Sequence, residues 1–434
     1  MPDPPADRGL PLLGHALELG RDPMALFVRL YRQHGPIFSI RLFRQPVTVI
    51  GGVQGTLFAK TEGREVLTNR QTFQGLTHEL GSEFNMTTLE GDHHDLFRRA
   101  SSHGYSRKSM SAAIPLMVNL SRRELDRHAP GEPLELFPFL QRLVSIQLGW
   151  IVANTPADDY LDDLLVFMRL LMRVHLTGVW PKATMQLPAA RRAKSRVHAF
   201  AKVIVHQHMD HPPGEHRDRD LIDDFLSAHA EDPERMPLNA VYASALGPFL
   251  AGQDTVAAAT AYLMHALLTH PEILSRVQSE VDTVFDGGAP SGKDFRKAKT
   301  LHAATIESMR RYPVAPLMPQ HAAESFSFNG HRVEKGSMVF VAHALTQFLE
   351  EHFERPFEFD VDRPRAEPHT YAPFGVGTHT CGGAGLAELQ VMVNVAILLR
   401  EANFEITPFD YKLRSKITPP APVGFRVLFS RRNH

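Results

Sequence analysis

Cysteine is almost missing from this chain: 434 residues contain one, Cys381. A lone thiol cannot close an internal disulfide, and zinc sites built from two to four cysteines need more sulfur than is present. Charge of one sign is missing too, with 47 Lys and Arg against 48 Asp and Glu. That balance excludes a general attraction to nucleic acid or to an anionic bilayer, so no nucleic-acid partner is expected. Unbroken apolar runs are short; VMVNVAILL from Val391 falls well below the roughly 18–20 residues needed to span a bilayer. The N-terminus, MPDPPADRGLPLLGHALELG, puts prolines and acids where a signal peptide or anchor would be apolar. No repeat of solenoid period and no low-complexity linker interrupts the chain. A cytoplasmic protein without a membrane anchor is expected, and a reducing compartment agrees with the absence of disulfides.

What is present is an ordinary globular composition, 43% hydrophobic and 22% charged, enough for a large core. Length alone would suit two or three domains. Strand character in PIFSIRLF and PVTVIGG gives way to helical apolar spacing. Helices are expected over 161–177, 189–209, 220–230, 238–270, 271–285, 300–311 and 385–400. The fold class is therefore mainly α with a minor β region, the β-rich parts lying at about 36–52 and 313–345.

The helix over 238–270 is unusually long and carries LAGQDTVAAAT near its middle. Gly252 there costs about 1 kcal/mol against alanine, and the Thr255 hydroxyl can bond back to a carbonyl one turn earlier. A harmless kink and a place where something packs against the backbone both fit these residues.

Cys381 lies in FGVGTHTCGGAG, residues 374–385. Three readings of it stand: a buried small hydrophobe, a nucleophile, or the thiolate ligand of an iron centre. A thiolate meant for a metal must be held deprotonated by backbone N–H groups, and glycines at 375, 377, 382 and 383 let the backbone curl closely. The helix that follows adds a dipole favouring negative charge, and Phe374 can shield the sulfur.

This segment resembles the cysteine-ligand loop of the cytochrome P450 family: Phe374, Gly375, Gly377, His379, Cys381 and Gly383 fall on its pattern. The resemblance extends further. Glu307 and Arg310 in ESMRR fit the family's Glu-x-x-Arg pair, Arg363 in VDRPR its third network member, and AGQDT from Ala251 the oxygen-activation segment. HHDLFRR sets His94 and Arg98 where members bond haem propionates. The motifs occur in the family's order, from about Gly9 to about Ser430.

The resemblance implies a single haem domain, 1–434, with haem b (iron protoporphyrin IX) between the long central helix and the cysteine loop. Cys381 would be the metal ligand; Ala251 and Gly252 would line the cofactor, and Asp254 and Thr255 would organise water and deliver protons during dioxygen activation. His94, Arg98 and His379 would neutralise the propionates, joined by Gln320 or His321 where many members have arginine. Glu307, Arg310 and Arg363 would lock the region presenting the loop. The substrate wall would include Phe73, Leu76, Phe84, Met86, Met168, Met172, Leu250, Val314, Leu317 and Thr418, methionine-rich and suited to a bulky lipophilic molecule of terpenoid, steroid, fatty acid or polyketide class. One cysteine cannot hold an iron–sulfur cluster, and the haem-domain motifs run almost to the end of the chain. No fused reductase is expected, and electrons would come from a ferredoxin- or flavodoxin-type donor with its reductase. The resemblance thus implies an O2-dependent monooxygenase; a haem-thiolate isomerase, a peroxygenase and a non-catalytic haem sensor are the alternatives. Two departures from the family stand out: Gly382 replaces the usual bulky apolar residue after the cysteine, and Glu388 falls where bacterial members often have arginine.

Overall fold

The computed structural model describes residues 1–214, 217–288, 290–407 and 424–432. In chain order the helices are α1 (Ala16–Arg21), α2 (Pro23–His34), α3 (Gly52–Lys60), α4 (Gly63–Val66), α5 (Arg70–Leu80), α6 (Gly91–Ser101), α7 (Arg107–Ala112) and α8 (Ile114–Leu125). They continue with α9 (Leu136–Ala153), α10 (Leu161–Leu171), α11 (Pro188–Asp210), α12 (Leu221–Glu231), α13 (Leu238–Leu268), α14 (Pro271–Phe285), α15 (Lys299–Arg311) and α16 (Ala384–Glu401). The strands are β1 (Ile37–Leu42), β2 (Gln45–Gly51), β3 (Leu67–Thr68), β4 (Leu134–Glu135), β5 (Met318–Ala322), β6 (Phe326–Phe328), β7 (His331–Val333), β8 (Met338–Ala342), β9 (Ala402–Ile406) and β10 (Arg426–Arg431). The chain is mainly helical with a minor strand component. The helix expected over 161–177 ends at Leu171 and continues as a π-helical turn, Met172–Leu176.

Two compact units make up the chain. The first consists of Met1–Thr72 and Ile306–Cys381 among its described residues. Its sheet runs β1-β2-β8-β5-β3, with β1 and β2 an antiparallel hairpin and β2 parallel to β8. β2 buries both faces from Val47 to Gly51, which is why its sequence is continuously apolar around Thr48. α2 starts at Pro23, with the Asp22 carboxylate accepting from the Ala25 N–H at 2.9 Å, and stops at Gly35, whose φ is 85°. Its inner face, Phe27 and Leu30, joins Phe38, Val49, Leu317, Phe340 and Leu345 in one core. Leu317, expected in the substrate wall, is thus part of this core, its side chain 5% exposed.

The second unit consists of Phe73–Thr305 and the described residues after Cys381. α13, 31 residues long, runs through it and tolerates Pro248 in its interior. A proline there removes one ladder donor and kinks the helix, a signal the glycine at 252 overshadowed in the sequence. Gly252 is the point where α9 comes close: a Cβ there would lie 3.2 Å from Leu148 Cδ1.

α9 adds to the reading that unbroken apolar runs fall short of a membrane span. By length and composition this helix reaches one, and among the described residues it alone does. Polar residues break its apolar run, so a search for unbroken runs overlooks it. Most of α9 is buried inside the unit, where the Gln147 amide donates to Asn394 Oδ1 at 2.7 Å and accepts from Gln390 at 3.0 Å. A buried network of that kind marks a core helix whose polar groups are paired within the protein.

Candidate active site

In the first unit the Cys381 N–H donates to the Phe374 carbonyl at 2.9 Å, closing the loop on itself. Gly375 and Gly377 have φ of 78° and 81°, a region costly for side chains, and at Gly377 a Cβ would also meet the Ala59 carbonyl at 2.5 Å. Cys381 is exposed, three residues before α16 begins, which overturns the buried-hydrophobe reading.

Gly382 and Gly383 are placed differently. Neither has positive φ; Gly383 sits at φ −89° and caps α16. At Gly382 a Cβ would lie 2.8 Å from Arg98 Nη1 and 3.7 Å from the Tyr105 ring. A larger residue at 382 would meet the end of the Arg98 side chain of α6, which would have to move aside.

The first unit also holds a buried ion-paired network. Glu307 and Arg310, one turn apart on α15, are 4% and 1% exposed. Arg310 forks onto Glu307, with Nε and Nη2 each 2.8 Å from a carboxylate oxygen. It also donates to the carbonyls of Gln347 and Pro356 at 2.7 Å and Glu358 at 3.0 Å. Arg363 Nε adds 2.9 Å to Glu307 Oε1, and the Asp360 N–H donates to the same oxygen at 3.1 Å. The Tyr371 hydroxyl donates to the Ile306 carbonyl, and burial pushes its pKa far above the ordinary phenol value. A planar guanidinium suits this place because it can satisfy a carboxylate and three carbonyls at once.

In the second unit α13 is buried or half-buried from Ala240 to Leu268 with one exception, Ala251, which is exposed. Gly252, Asp254 and Thr255 beside it are half-buried. Thr255 Oγ1 donates to the Ala251 carbonyl at 2.7 Å. Asp254 Oδ1 accepts from the Gln141 amide of α9 at 2.6 Å. Burial raises the Asp254 pKa above the usual carboxylate value, opposed by the Gln141 hydrogen bond and the charge of Arg169. His94, buried, and Arg98, half-buried, lie one turn apart on α6.

The remaining expected residues fall as follows. Gln320 and His321 lie on β5, where the Gln320 amide donates to Asn69 at 3.0 Å and His321 Nδ1 lies 3.3 Å from the Thr72 hydroxyl. Burial lowers the His321 pKa, so the ring is held toward its neutral form. His379 is half-buried in the cysteine loop, and Val314 half-buried before β5. Phe73 and Leu76 lie on α5, Phe84 and Met86 just after it, Met168 on α10, Met172 at the π turn and Leu250 on α13. Thr418 lies outside the described residues. Glu388, the second departure, is ion-paired with Arg107 of α7.

Gln141 and Tyr105 are the residues that sequence reasoning missed. Neither sits in a motif; a polar residue near the start of an apolar helix was the one available signal for Gln141.

A haem fits these features. A single exposed thiolate donor suits haem iron and cannot build a zinc site. A second convergence, His208 with Asp220 and Asp223, has the wrong chemistry for a cation. Arg217 donates to both oxygens of Asp223 at 2.7 Å and to Asp220 at 3.3 Å, so these carboxylates are already neutralised.

Comparison with known proteins agrees. A family model described as Cytochrome P450 matches residues 4–425. A sterol 14alpha-demethylase of Mycolicibacterium vanbaalenii is 25% identical over 433 residues, covering 95% of each chain. A cyclooctat-9-en-7-ol 5-monooxygenase of Streptomyces melanosporofaciens is 25% identical, covering 91% of this chain and 87% of its own. Abscisic acid 8'-hydroxylase 1 of Oryza sativa subsp. japonica is 23% identical over 91% of this chain and 83% of its own. Among solved structures, a retinoic acid bound cyanobacterial CYP120A1 superposes with a TM-score of 0.82 at 21% identity over 100% of both chains. The cytochrome P450DA heme domain gives 0.85 at 19%, covering 99% of this chain and 98% of its own. With a family model spanning nearly its whole length and the cysteine loop, paired Glu307 and Arg310, and opened central helix in place, this chain belongs to the cytochrome P450 family.

Proposed function

We propose that the protein inserts one atom of O2 into a lipophilic, ring-bearing small molecule, with Cys381 as thiolate ligand of haem b. The observation that carries this reading is the exposed Cys381 at the end of a loop closed by its own N–H. A haem, when bound, would be held by the Cys381 thiolate and would supply the oxygen-activating chemistry. The protein's residues position it and manage protons. Gly375 and Gly377 hold the loop that presents Cys381; Glu307, Arg310 and Arg363 hold the segment behind it. His94, Arg98 and His379 neutralise the propionates, with Gln320 or His321 contributing from β5.

Asp254 and Thr255 handle protons. The threonine hydroxyl, already bonded to the Ala251 carbonyl, sits where α13 is open and can hold a water there. The aspartate, with a pKa raised by burial, is closer to the range in which a carboxyl gives up a proton at working pH. This pair favours use of O2 with delivered protons over the isomerase, peroxygenase and sensor readings, none of which needs it.

The substrate class rests on the relatives, whose names carry a sterol, abscisic acid and cyclooctat-9-en-7-ol, and on the apolar set Phe73, Leu76, Phe84, Met86, Met168, Met172 and Leu250. Electrons come from a separate ferredoxin- or flavodoxin-type protein and its reductase, in the cytoplasm. The test is the absorption spectrum of dithionite-reduced protein under carbon monoxide, beside Cys381→Ser. A strongly red-shifted Soret band that the variant loses is expected. Haem with an unshifted band in the unaltered protein overturns the thiolate assignment and the mechanism built on it.

A further inference from the structure

Gln141 stands out among the partners of the site's residues. It lies on α9, a helix whose neighbouring positions Phe139, Leu140, Leu143 and Val144 are all buried apolar residues. Gln141 is itself half-buried, and its amide is directed at one group: Nε2 donates to Asp254 Oδ1 at 2.6 Å. We propose that Gln141 is a positioning residue for Asp254, fixing which carboxyl oxygen carries the proton and holding the acid ready for transfer. The proposal rests on the reading of Asp254 as a proton donor, and it deepens that reading.

The chemistry follows from the donor type. An amide N–H donated to Oδ1 is accepted better by a carbonyl-type oxygen than by a hydroxyl one, so it favours the acidic proton on Oδ2. The amide donates at every pH, which keeps the carboxyl oriented in both its states. Being neutral, it stabilises the carboxylate less than a lysine or arginine in the same place would. A cation there would favour the ionised form of Asp254; an apolar residue would leave burial opposed by the charge of Arg169 alone and favour the protonated form.

The charged and titratable groups facing Asp254 are few. Arg169, exposed on α10, contributes a weaker charge effect than the Gln141 bond. On α13 itself no titratable residue lies between Leu250 and Ala258 other than Asp254. The amide is thus the nearest lever on this carboxyl. Gly252, which lets Leu148 of α9 approach to contact distance, lies two residues before Asp254 on the same two-helix seam.

The test uses Gln141→Leu, which keeps the bulk and removes the donor, and Gln141→Lys, which adds a charge. In the substrate-free holoprotein, infrared difference spectroscopy follows the carboxylic acid band that Asp254→Asn removes, as a function of pH. The leucine variant should shift its titration upward by about one pH unit, and the lysine variant downward by at least as much. The pH dependence of coupling between electron use and product should move the same way in each, with unfolding midpoints little changed. Identical Asp254 titrations in all three proteins overturn the proposal and leave Gln141 as packing; so do shifts of one sign in both variants. If the titrations move in opposite directions while Asp254→Asn leaves coupling untouched, the positioning stands and the proton-donor reading of Asp254 fails.

Discussion

Replacing Arg310 with lysine keeps the positive charge and removes the fork. In the native protein the guanidinium makes five donated bonds, two to Glu307 and one each to the carbonyls of Gln347, Pro356 and Glu358. An ammonium is a single point on a flexible stem; it can stay against Glu307 but cannot span to backbone segments on three sides. At least two carbonyls are then left without a donor where the arginine was 1% exposed. Each such loss costs on the order of 1–2 kcal/mol, while the carboxylate stays paired through Arg363 Nε. The total is about 3 kcal/mol, at the lower edge of what breaking a buried ion pair costs outright. In a unit of roughly 150–250 residues that corresponds to a fall of about 10 °C in unfolding midpoint. The assay is thermal unfolding of holoprotein by circular dichroism, with haem release followed in parallel at the Soret band. Because the network and Cys381 belong to the same compact unit, haem should leave at or before the lowered transition. A midpoint within about 1 °C of the unaltered protein would refute the reasoning, showing that the five bonds are replaceable by water.

Two other expectations follow from single residues. His343, 2% exposed, has Nε2 2.7 Å from the Ala315 carbonyl, Nδ1 has no partner among the described residues, and burial pushes its pKa down to about 4. The unfolded chain binds this proton at a higher pH than the folded one, so stability is intact above the ordinary histidine range and falls as pH drops from about 6.5 toward 4, by roughly 3 kcal/mol. His343→Gln should flatten that part of the stability-against-pH curve measured in urea; a curve of unchanged slope would count against the assignment. Gly382→Ile should push Arg98 aside, because the first side-chain carbon alone comes within 2.8 Å of Nη1. If Arg98 serves a propionate, haem retention weakens by about 10-fold or more, read as transfer to an apoprotein acceptor; an unaltered transfer rate would show that Arg98 gives with no cost to haem.

The parts legible in the sequence were those encoded by local spacing. Periodicity located the helices from 161 onward to within a few residues, because each buries one continuous apolar face. The strands β3, β4, β9 and β10 did not show, being two to six residues long and defined by partners far along the chain: Leu134 pairs with Val427, and Leu67 with Ala322. α9 escaped notice as a helix of spanning length because Gln141, Arg142 and Gln147 interrupt its apolar run. The same residues, read by partner instead of by hydropathy, are what tie it into the second unit.

The glycine loop shows where spacing gives the right residues for a reason that only coordinates reveal. All four glycines fit a tight curl, yet only Gly375 and Gly377 need positive φ, whereas a larger residue at 382 would meet the end of the Arg98 side chain. Gln141 and Asp254 make the same point at longer range, since 113 residues separate two atoms 2.6 Å apart. A motif can announce an acid; the burial that raises its proton affinity and the Gln141 amide that opposes it both come from the packing around α13, and no local pattern carries that. If Asp254 gives up a proton in turnover, substitutions on α9 at Gln141 should tune it while leaving every recognisable motif intact.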